Sequence, residues 1–191
     1  MATTTFTAGI PTASQINLYS KKGDTWLAEA SVTAGSIINC FSSAYQNYQV
    51  VVSDLVTTGD CYLYFQLGYS GGTVWTTAAG QYYQGGQYQA FSTGTITNWN
   101  NNGTDGYWRL CAGCTAATGF PNNAVVNISS PNKSTWTQYS ATVTLNLSTG
   151  IYGWWHGGNV QNTNAYDSLR WNTTSSAVSS GTVRVYGLME A

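Results

Sequence analysis

Residues 181–188 show a strict two-residue alternation of side chains. Val183 and Val185 alternate with Arg184 and Tyr186. Successive side chains of a β-strand point to opposite faces, so this spacing predicts a strand with one apolar and one polar face. We expect the two valines to face a core, and Arg184 to face solvent or a neighbouring subunit.

Short runs of this kind recur along the chain, and turn residues separate most of them by about 8 to 14 residues. The runs occupy residues 26–41, as two strands broken at 34–35, and then residues 48–55, 61–69, 107–111, 125–128, 136–147, 151–155 and 169–171. The segment 73–100 is also strand-like, and no segment has the period of a helix. About ten short strands with regular turns are typical of an antiparallel sandwich or barrel. We therefore predict an all-β fold, specifically an antiparallel jelly-roll-like β-sandwich.

Two connections allow more specific predictions. Residues 58–60, Thr-Gly-Asp, form a turn signal between residues 48–55 and 61–69, which predicts a hairpin of these two strands. Residues 99–106 are rich in Asn and Gly, which tolerate positive φ, and we interpret them as a loop.

The chain length of 191 residues suits one domain. Residues 1–23 are polar and contain Gly9 and Pro11, which interrupt regular structure. We expect them to form a short extended N-terminal arm with one short strand at 16–19. We assign residues 24–191 to a single β-sandwich domain.

Charge is scarce in this sequence. Only 7% of the residues are charged, against about 25% in a typical globular domain, and the formal net charge is −1. The few basic residues are scattered, so we expect no nucleic-acid partner. A surface rich in Tyr, Trp and Asn with so little charge favours large protein contacts or sugar contacts, and it mildly favours a permanent assembly.

Several separated stretches together resemble a known kind of protein. They are residues 28–33 leading into 41–55, residues 62–67, residues 181–188 and, more weakly, residues 126–131. In sequence and order they resemble the β-sandwich modules of tailed-bacteriophage surface proteins, found at the ends of tail fibres and as head decorations. The resemblance covers about residues 24–188. It implies a virion-surface component without catalysis, made in the host cytoplasm and usually trimeric.

The chain has no long fibrous shaft ahead of this module, unlike the fibre proteins. We therefore expect a capsid decoration or cement protein, a homotrimer that contacts other virion proteins such as the major capsid protein or tail proteins. The alternative is a tail-fibre or receptor-binding protein that attaches to host surface glycans.

Neither a signal peptide nor an apolar run long enough to span a membrane is recognisable in the sequence. We therefore expect no membrane insertion, and cysteines that start reduced. Cys111 and Cys114 form a CxxC pair. With Cys40 and Cys61 they could form a zinc site, pack as small apolar residues, or form a disulfide bond later, and the sequence leaves these alternatives open.

Catalytic chemistry finds little support in the sequence. His156 is the only histidine, and we interpret it as a loop or strand-end residue packed by aromatic rings. No nucleophile-elbow motif accompanies it. The acidic residues are Asp24, Glu29, Asp54, Asp60, Asp105, Asp167 and Glu190. Two of them could form in space the pair of carboxylates that a glycosidase requires, but the sequence gives no sign of such a pair. We therefore predict no catalytic residue, no cofactor and no metal ligand.

The densest aromatic region provides the candidate contact residues. They are Tyr82, Tyr83, Tyr88, Trp99, Tyr107 and Trp108. Aromatic faces stack on sugar rings while nearby amides bond to hydroxyl groups, so this region could hold a glycan. Tyr and Trp are also enriched in subunit interfaces and in sheet packing, and the sequence favours these readings over sugar binding.

Overall fold

The computed structural model describes residues 24–114, 122–147 and 150–188. The predicted arm, residues 1–23 with its strand at 16–19, lies outside the described residues. The described strands are β1 (Asp24–Ser31), β2 (Ser36–Ile37), β3 (Asn47–Thr57), β4 (Cys61–Tyr69), β5 (Val74–Trp75), β6 (Tyr82–Ala90), β7 (Ile96–Asn102), β8 (Trp108–Cys114), β9 (Asn122–Ser129), β10 (Thr137–Leu147), β11 (Gly150–Val160), β12 (Ser168–Thr173) and β13 (Val178–Leu188). One turn of 3-10 helix, Val32–Ala34, separates β1 from β2 and ends at Gly35, whose φ is 77°.

The strands form two antiparallel sheets. The larger sheet has eight strands in the order β1-β13-β3-β9-β10-β11-β6-β7. The smaller sheet has five strands, with β2-β12-β4-β5 in order and β8 also paired to β4. The two sheets pack as a sandwich, which confirms the predicted all-β, antiparallel fold.

A hydrophobic core fills the space between the sheets. In β9 every second residue is buried, as the two-residue period requires when one face packs and the other meets solvent. Val126 and Ile128 of β9 belong to the same core as Leu63, Phe65 and Leu67 of β4. The best-covered part of the larger sheet is therefore its aliphatic centre.

The C-terminal strand β13 has the predicted orientation. Val183 and Val185 are buried in the core. Arg184 lies on the opposite face, where its Nε donates to Glu29 Oε2 of β1 at 2.6 Å. The prediction that the valines face inward and Arg184 outward is confirmed.

The predicted hairpin of residues 48–55 and 61–69 is wrong. The turn at 58–60 exists, but β3 pairs with β13 and β9 in the larger sheet, whereas β4 pairs with β12 in the smaller sheet. The pairing of β3 with β9 shifts register between Val52 and Leu55, around Asp54 with its φ of 56°. Such a bulge bends a strand, so the turn carries the chain from one sheet to the other.

The predicted loop at residues 99–106 begins later than expected. Residues up to Asn102 belong to β7, which pairs with β6. The paired residues run from Gln89 opposite Ile96 to Tyr83 opposite Asn102. Positive φ starts only at Gly103, at 80°. The backbone pairing with β6 outweighs the weak strand preference of asparagine, so Trp99 is held on a strand of the sheet.

Candidate binding site

The inner face of the larger sheet is incompletely covered at its β11-β6-β7 end. Within the smaller sheet, β8 is the strand that packs over β10 and β6. Tyr82 and Gln84, at the start of β6, are buried. Tyr88, four residues after Gln84 on β6, points to the same face. Trp99 of β7 and Tyr152 of β11 also point to this face, and all three side chains are only half-buried. Aromatic side chains therefore line an opening between the sheets.

This opening is a cleft of about 310 Å³. Its lining residues are Tyr62, Tyr88, Trp99, Arg109, Leu147, Tyr152 and Trp154. Its volume lies at the lower end of the range of small-molecule sites, which is roughly 300 to 1,000 Å³. The described cleft thus has room for a sugar-sized group.

Strand register sets the aromatic floor of the cleft. Tyr88 of β6 lies directly opposite Trp154 of β11, and their rings stack with centroids 4.8 Å apart and planes at 12°. The Trp99 ring packs against the Trp154 ring at 5.6 Å, and the Tyr152 ring lies 6.2 Å from the Tyr88 ring. Cross-strand aromatic contacts of this kind stabilise a sheet and hold the ring planes in place.

A guanidinium group forms part of the wall. Arg109 lies on β8, and its Cζ lies 4.4 Å from the centroid of the Tyr62 ring on β4. Arg109 Nη2 donates to Asp105 Oδ2 at 2.9 Å. Asn101 Nδ2 donates to the same oxygen. The guanidinium is therefore held from two sides, by an aromatic face and by a carboxylate.

The connection from β7 to β8 fixes the distance between Trp99 and Arg109. Asn101 Oδ1 accepts hydrogen bonds from Thr104 N and Thr104 Oγ1, both at 2.8 Å. Gly106 passes so close to Thr77 that an added Cβ would lie 1.9 Å from its carbonyl oxygen. Glycine is required at this position, and the loop cannot shift outward without breaking the asparagine network.

Three N–H groups of cleft-lining residues are buried without an acceptor. They are Trp99 Nε1, Trp154 Nε1 and Arg109 Nε. Six buried side-chain polar atoms lack a hydrogen-bond partner among the described residues, so half of them belong to this cleft. A buried donor without a partner is costly, and these three atoms each expose less than 1 Å² of surface.

A buried polar network supports the floor from below. His156 Nε2 donates to the Leu110 carbonyl oxygen at 3.0 Å, and His156 Nδ1 lies 3.1 Å from Tyr139 Oη. Tyr139 Oη also lies 3.0 Å from Gln84 Oε1, which accepts from Arg109 N. Burial lowers the pKa of His156 from 6.5 to about 4. The network joins β10, β11 and β6 to β8.

The predicted environment of His156 is partly confirmed. Aromatic rings surround it, with Trp99 at 5.7 Å and Tyr139 at 5.6 Å between centroids. Its predicted place in a loop or at a strand end is wrong, because it lies within β11 and pairs with Ala141 and Gly86. Among the described residues, the imidazole makes polar contacts to a tyrosine hydroxyl and a backbone carbonyl, and both contacts are structural.

Two of the six predicted contact residues line the cleft, namely Tyr88 and Trp99. Tyr82 and Trp108 follow the favoured alternative of sheet packing, because both are 0% exposed. Their rings meet edge to face at 5.7 Å in the core, and Tyr82 Oη donates to the Thr76 carbonyl oxygen. Sequence density of aromatic residues cannot separate a core ring from a surface ring on the same strand.

The other two predicted residues lie outside the cleft lining. Tyr107 stacks on Tyr64 with centroids 4.2 Å apart. Tyr83 is half-buried on the outer face of β6, where its ring approaches Gly103. The sequence prediction missed five lining residues: Tyr62, Arg109, Leu147, Tyr152 and Trp154. Only the spacing of Tyr152 and Trp154 on one strand face could have indicated two of them.

The structure describes the side chains of two of the four cysteines, Cys40 and Cys61. Cys40 is buried, its Sγ donates to the Ile37 carbonyl oxygen, and burial raises its pKa. Cys61 is buried and lies opposite Cys114 in the backbone pairing of β4 and β8. The side chains of Cys111 and Cys114 lie outside the described part of the chain. Among the side chains that are described, no group of three or more His, Cys, Asp or Glu could hold a metal ion.

The fold and the cleft together define a class: an antiparallel β-sandwich with an open cleft lined by aromatic residues. The chain matches no protein-family model, no curated protein and no solved structure. Across the described ranges, no helix has the length and apolarity needed to cross a membrane.

Proposed function

We propose that this chain is a non-enzymatic surface protein of a tailed-bacteriophage particle, and that it attaches to sugar chains through the aromatic cleft. The sequence resemblance over residues 24–188 supports the virion setting. The cleft supports the sugar-binding role, and the half-buried rings of Tyr88, Trp99 and Tyr152 in its lining are the observation that carries it.

The chemistry of the cleft suits a carbohydrate. One face of a pyranose ring presents C–H groups, which pack favourably on the electron-rich face of an aromatic ring. Trp99 is half-buried and offers such a ring at the cleft. Arg109 lies in the cleft wall with a side chain that is 26% exposed, so its guanidinium can donate to ring and hydroxyl oxygens. A sugar therefore satisfies both the apolar and the polar parts of the site.

The lining favours binding over hydrolysis. Glycoside hydrolases use two carboxyl groups about 5 to 10 Å apart across the scissile bond. The described lining residues are aromatic or aliphatic apart from Arg109. The nearby carboxylate of Asp105 already accepts from Arg109 and Asn101. This arrangement holds a ligand and offers no acid–base pair to cleave it.

A glycan array with the purified full chain tests this proposal. We expect specific binding that Trp99→Ala weakens about tenfold or more, as for a central aromatic contact. Trp136→Ala is the matched control, because Trp136 is 53% exposed and lies outside the cleft lining. Absence of glycan binding, or equal loss in both variants, would contradict the role of the cleft.

A second candidate function is the capsid decoration or cement role, as a homotrimer. It is favoured by an apolar patch on the outer face of the larger sheet, formed by Phe91, Ile96, Ile151 and Trp155. These side chains are between 41% and 60% exposed. The rings of Phe91 and Trp155 flank Gly153, within 3 Å of where a Cβ would lie. Exposed apolar clusters of this kind mark interaction surfaces.

The lack of charge around this patch is compatible with contact between identical chains. Residues 82–102 and 150–160 contain no Asp, Glu, Lys or Arg. Light scattering after size exclusion tests this second function, with Phe91→Ser/Trp155→Ser as the variant. We expect a trimer that the variant dissociates, with unchanged capsid binding in the Trp99→Ala control. A monomeric wild-type chain that still decorates capsids would contradict the oligomeric part.

A further inference from the structure

We infer that the cleft selects uncharged saccharides, and that Asp105 sets this selectivity by neutralising Arg109. This inference rests on the proposed sugar binding of the same cleft. Asp105 does not line the cleft, so its role is to position and neutralise the arginine.

The charges at the site balance. Among the described lining residues, Arg109 is the one with a formal charge, and Asp105 Oδ2 lies 2.9 Å from its Nη2. The two side chains are 26% and 19% exposed, so water screens the pair only in part. An anionic sugar would meet the carboxylate of Asp105 as well as the guanidinium, and the two effects oppose each other. A neutral sugar incurs no such repulsion.

The geometry of Arg109 also disfavours recognition of a carboxylate. Binding a carboxylate strongly takes two parallel N–H groups of the guanidinium fork. Nη2 already donates to Asp105, and the Tyr62 ring lies 4.4 Å from Cζ on one face. Asp105 thus already uses one N–H of the fork, and a ligand carboxylate would have to share the guanidinium with it.

The aromatic lining reinforces this selectivity. Tyr88, Trp99 and Tyr152 line the cleft and are half-buried. The ring carbons of a neutral sugar pack on such ring faces, which offer no cation to a carboxylate.

The test compares pairs of oligosaccharides with the same linkage, in which glucose is replaced by glucuronic acid. We expect the wild-type chain to bind the glucose member at least tenfold more tightly at low salt. In Asp105→Asn, which frees the cation, we expect this ratio to fall at least tenfold or to invert. Binding of the acidic member should then weaken steeply with added salt.

Glu29→Gln is the matched control. It makes the same change of net charge and likewise frees an arginine, because Glu29 Oε2 accepts from Arg184 Nε. Glu29 lies on β1, at the opposite edge of the larger sheet from β7. We expect its selectivity ratio to equal that of the wild type. An equal change in both variants would show a general charge effect and would overturn the role of Asp105.

The outcomes separate this inference from the proposed function. If the wild type binds no sugar of either kind, the proposed function fails and the selectivity falls with it. If it binds sugars but prefers the acidic member, the inference alone fails. If Asp105→Asn does not fold, the affinity ratio of the wild type still decides whether the cleft prefers neutral sugars. Arg109→Gln then tests the cation. We expect this variant to lose binding of the neutral member and to gain no binding of the acidic member.

Discussion

The two ends of the larger sheet are built from the same two-residue alternation but from different side chains. On the β1-β13-β3-β9 side the inward residues are mostly aliphatic, such as Val50, Val126 and Val185, and they are buried. On the β11-β6-β7 side they include several aromatic residues, and Tyr88 and Trp99 are only half-buried. The covered end provides stability, whereas the open end retains rings that can contact a ligand. One sheet therefore separates the two requirements by position.

The largest expected effect comes from the covered end. Ile128→Ala removes a side chain that is 1% exposed in the centre of the sheet. We expect the free energy of unfolding to fall by about 2 to 5 kcal/mol, from lost burial and the cavity left behind. Denaturant unfolding measures it. Glycan affinity of the folded variant should stay unchanged, and a matching loss of affinity would show that the two ends are not independent.

A pH effect tests the buried polar network of the open end, where His156 of β11 contacts Tyr139 of β10. Burial lowers the pKa of His156 from 6.5 to about 4. Between these values the unfolded chain takes up a proton that the folded chain does not. The free energy of unfolding should therefore decrease as the pH falls from about 6.5 to 4, by up to about 3 kcal/mol.

The measurement is denaturant unfolding at several pH values for the wild type and for His156→Gln, which keeps a donor for the Leu110 carbonyl oxygen. Carboxyl groups titrate in both chains, so the difference between them isolates the imidazole. A constant difference from pH 7 to pH 4 would show that His156 titrates normally in the folded chain.

At the open end, Trp99→Ala should affect stability less than Ile128→Ala. The Trp99 ring is half-buried and its indole N–H lacks a partner, so its removal abolishes no described hydrogen bond. We expect a loss of about 1 to 2 kcal/mol, below the range for a fully buried large side chain. A loss as large as that of Ile128→Ala would mean that the cleft is part of the stabilising core.

The same contrast explains how much could be predicted from the sequence. Strand β13 was predicted correctly because Val183 and Arg184 are neighbours whose orientation follows from local alternation alone. The hairpin prediction failed because a turn with flanking alternation looks the same whether its strands pair or enter different sheets. Of the cleft, Trp99 was predicted from aromatic density. Trp154 and Arg109 were not, because only long-range pairing brings them to that place.

The smallest expected effect concerns the ion pairs at the two ends. Arg184 and Glu29 lie on the surface of the covered end, with side chains 35% and 42% exposed. Arg109 and Asp105 are less exposed at the open end. Arg184→Ala should lower the free energy of unfolding by about 0.2 to 1 kcal/mol, because exposed pairs gain little over hydrated charges. Urea unfolding at low and high salt measures it, and the loss should shrink as salt screens the pair.

The loss of unfolding free energy in Asp105→Asn should shrink less with salt, because its pair is less accessible to water. If salt reduced both losses equally, Arg109 would be as solvated as Arg184, and the cleft would lack the low-dielectric wall that makes its charge balance matter for selectivity.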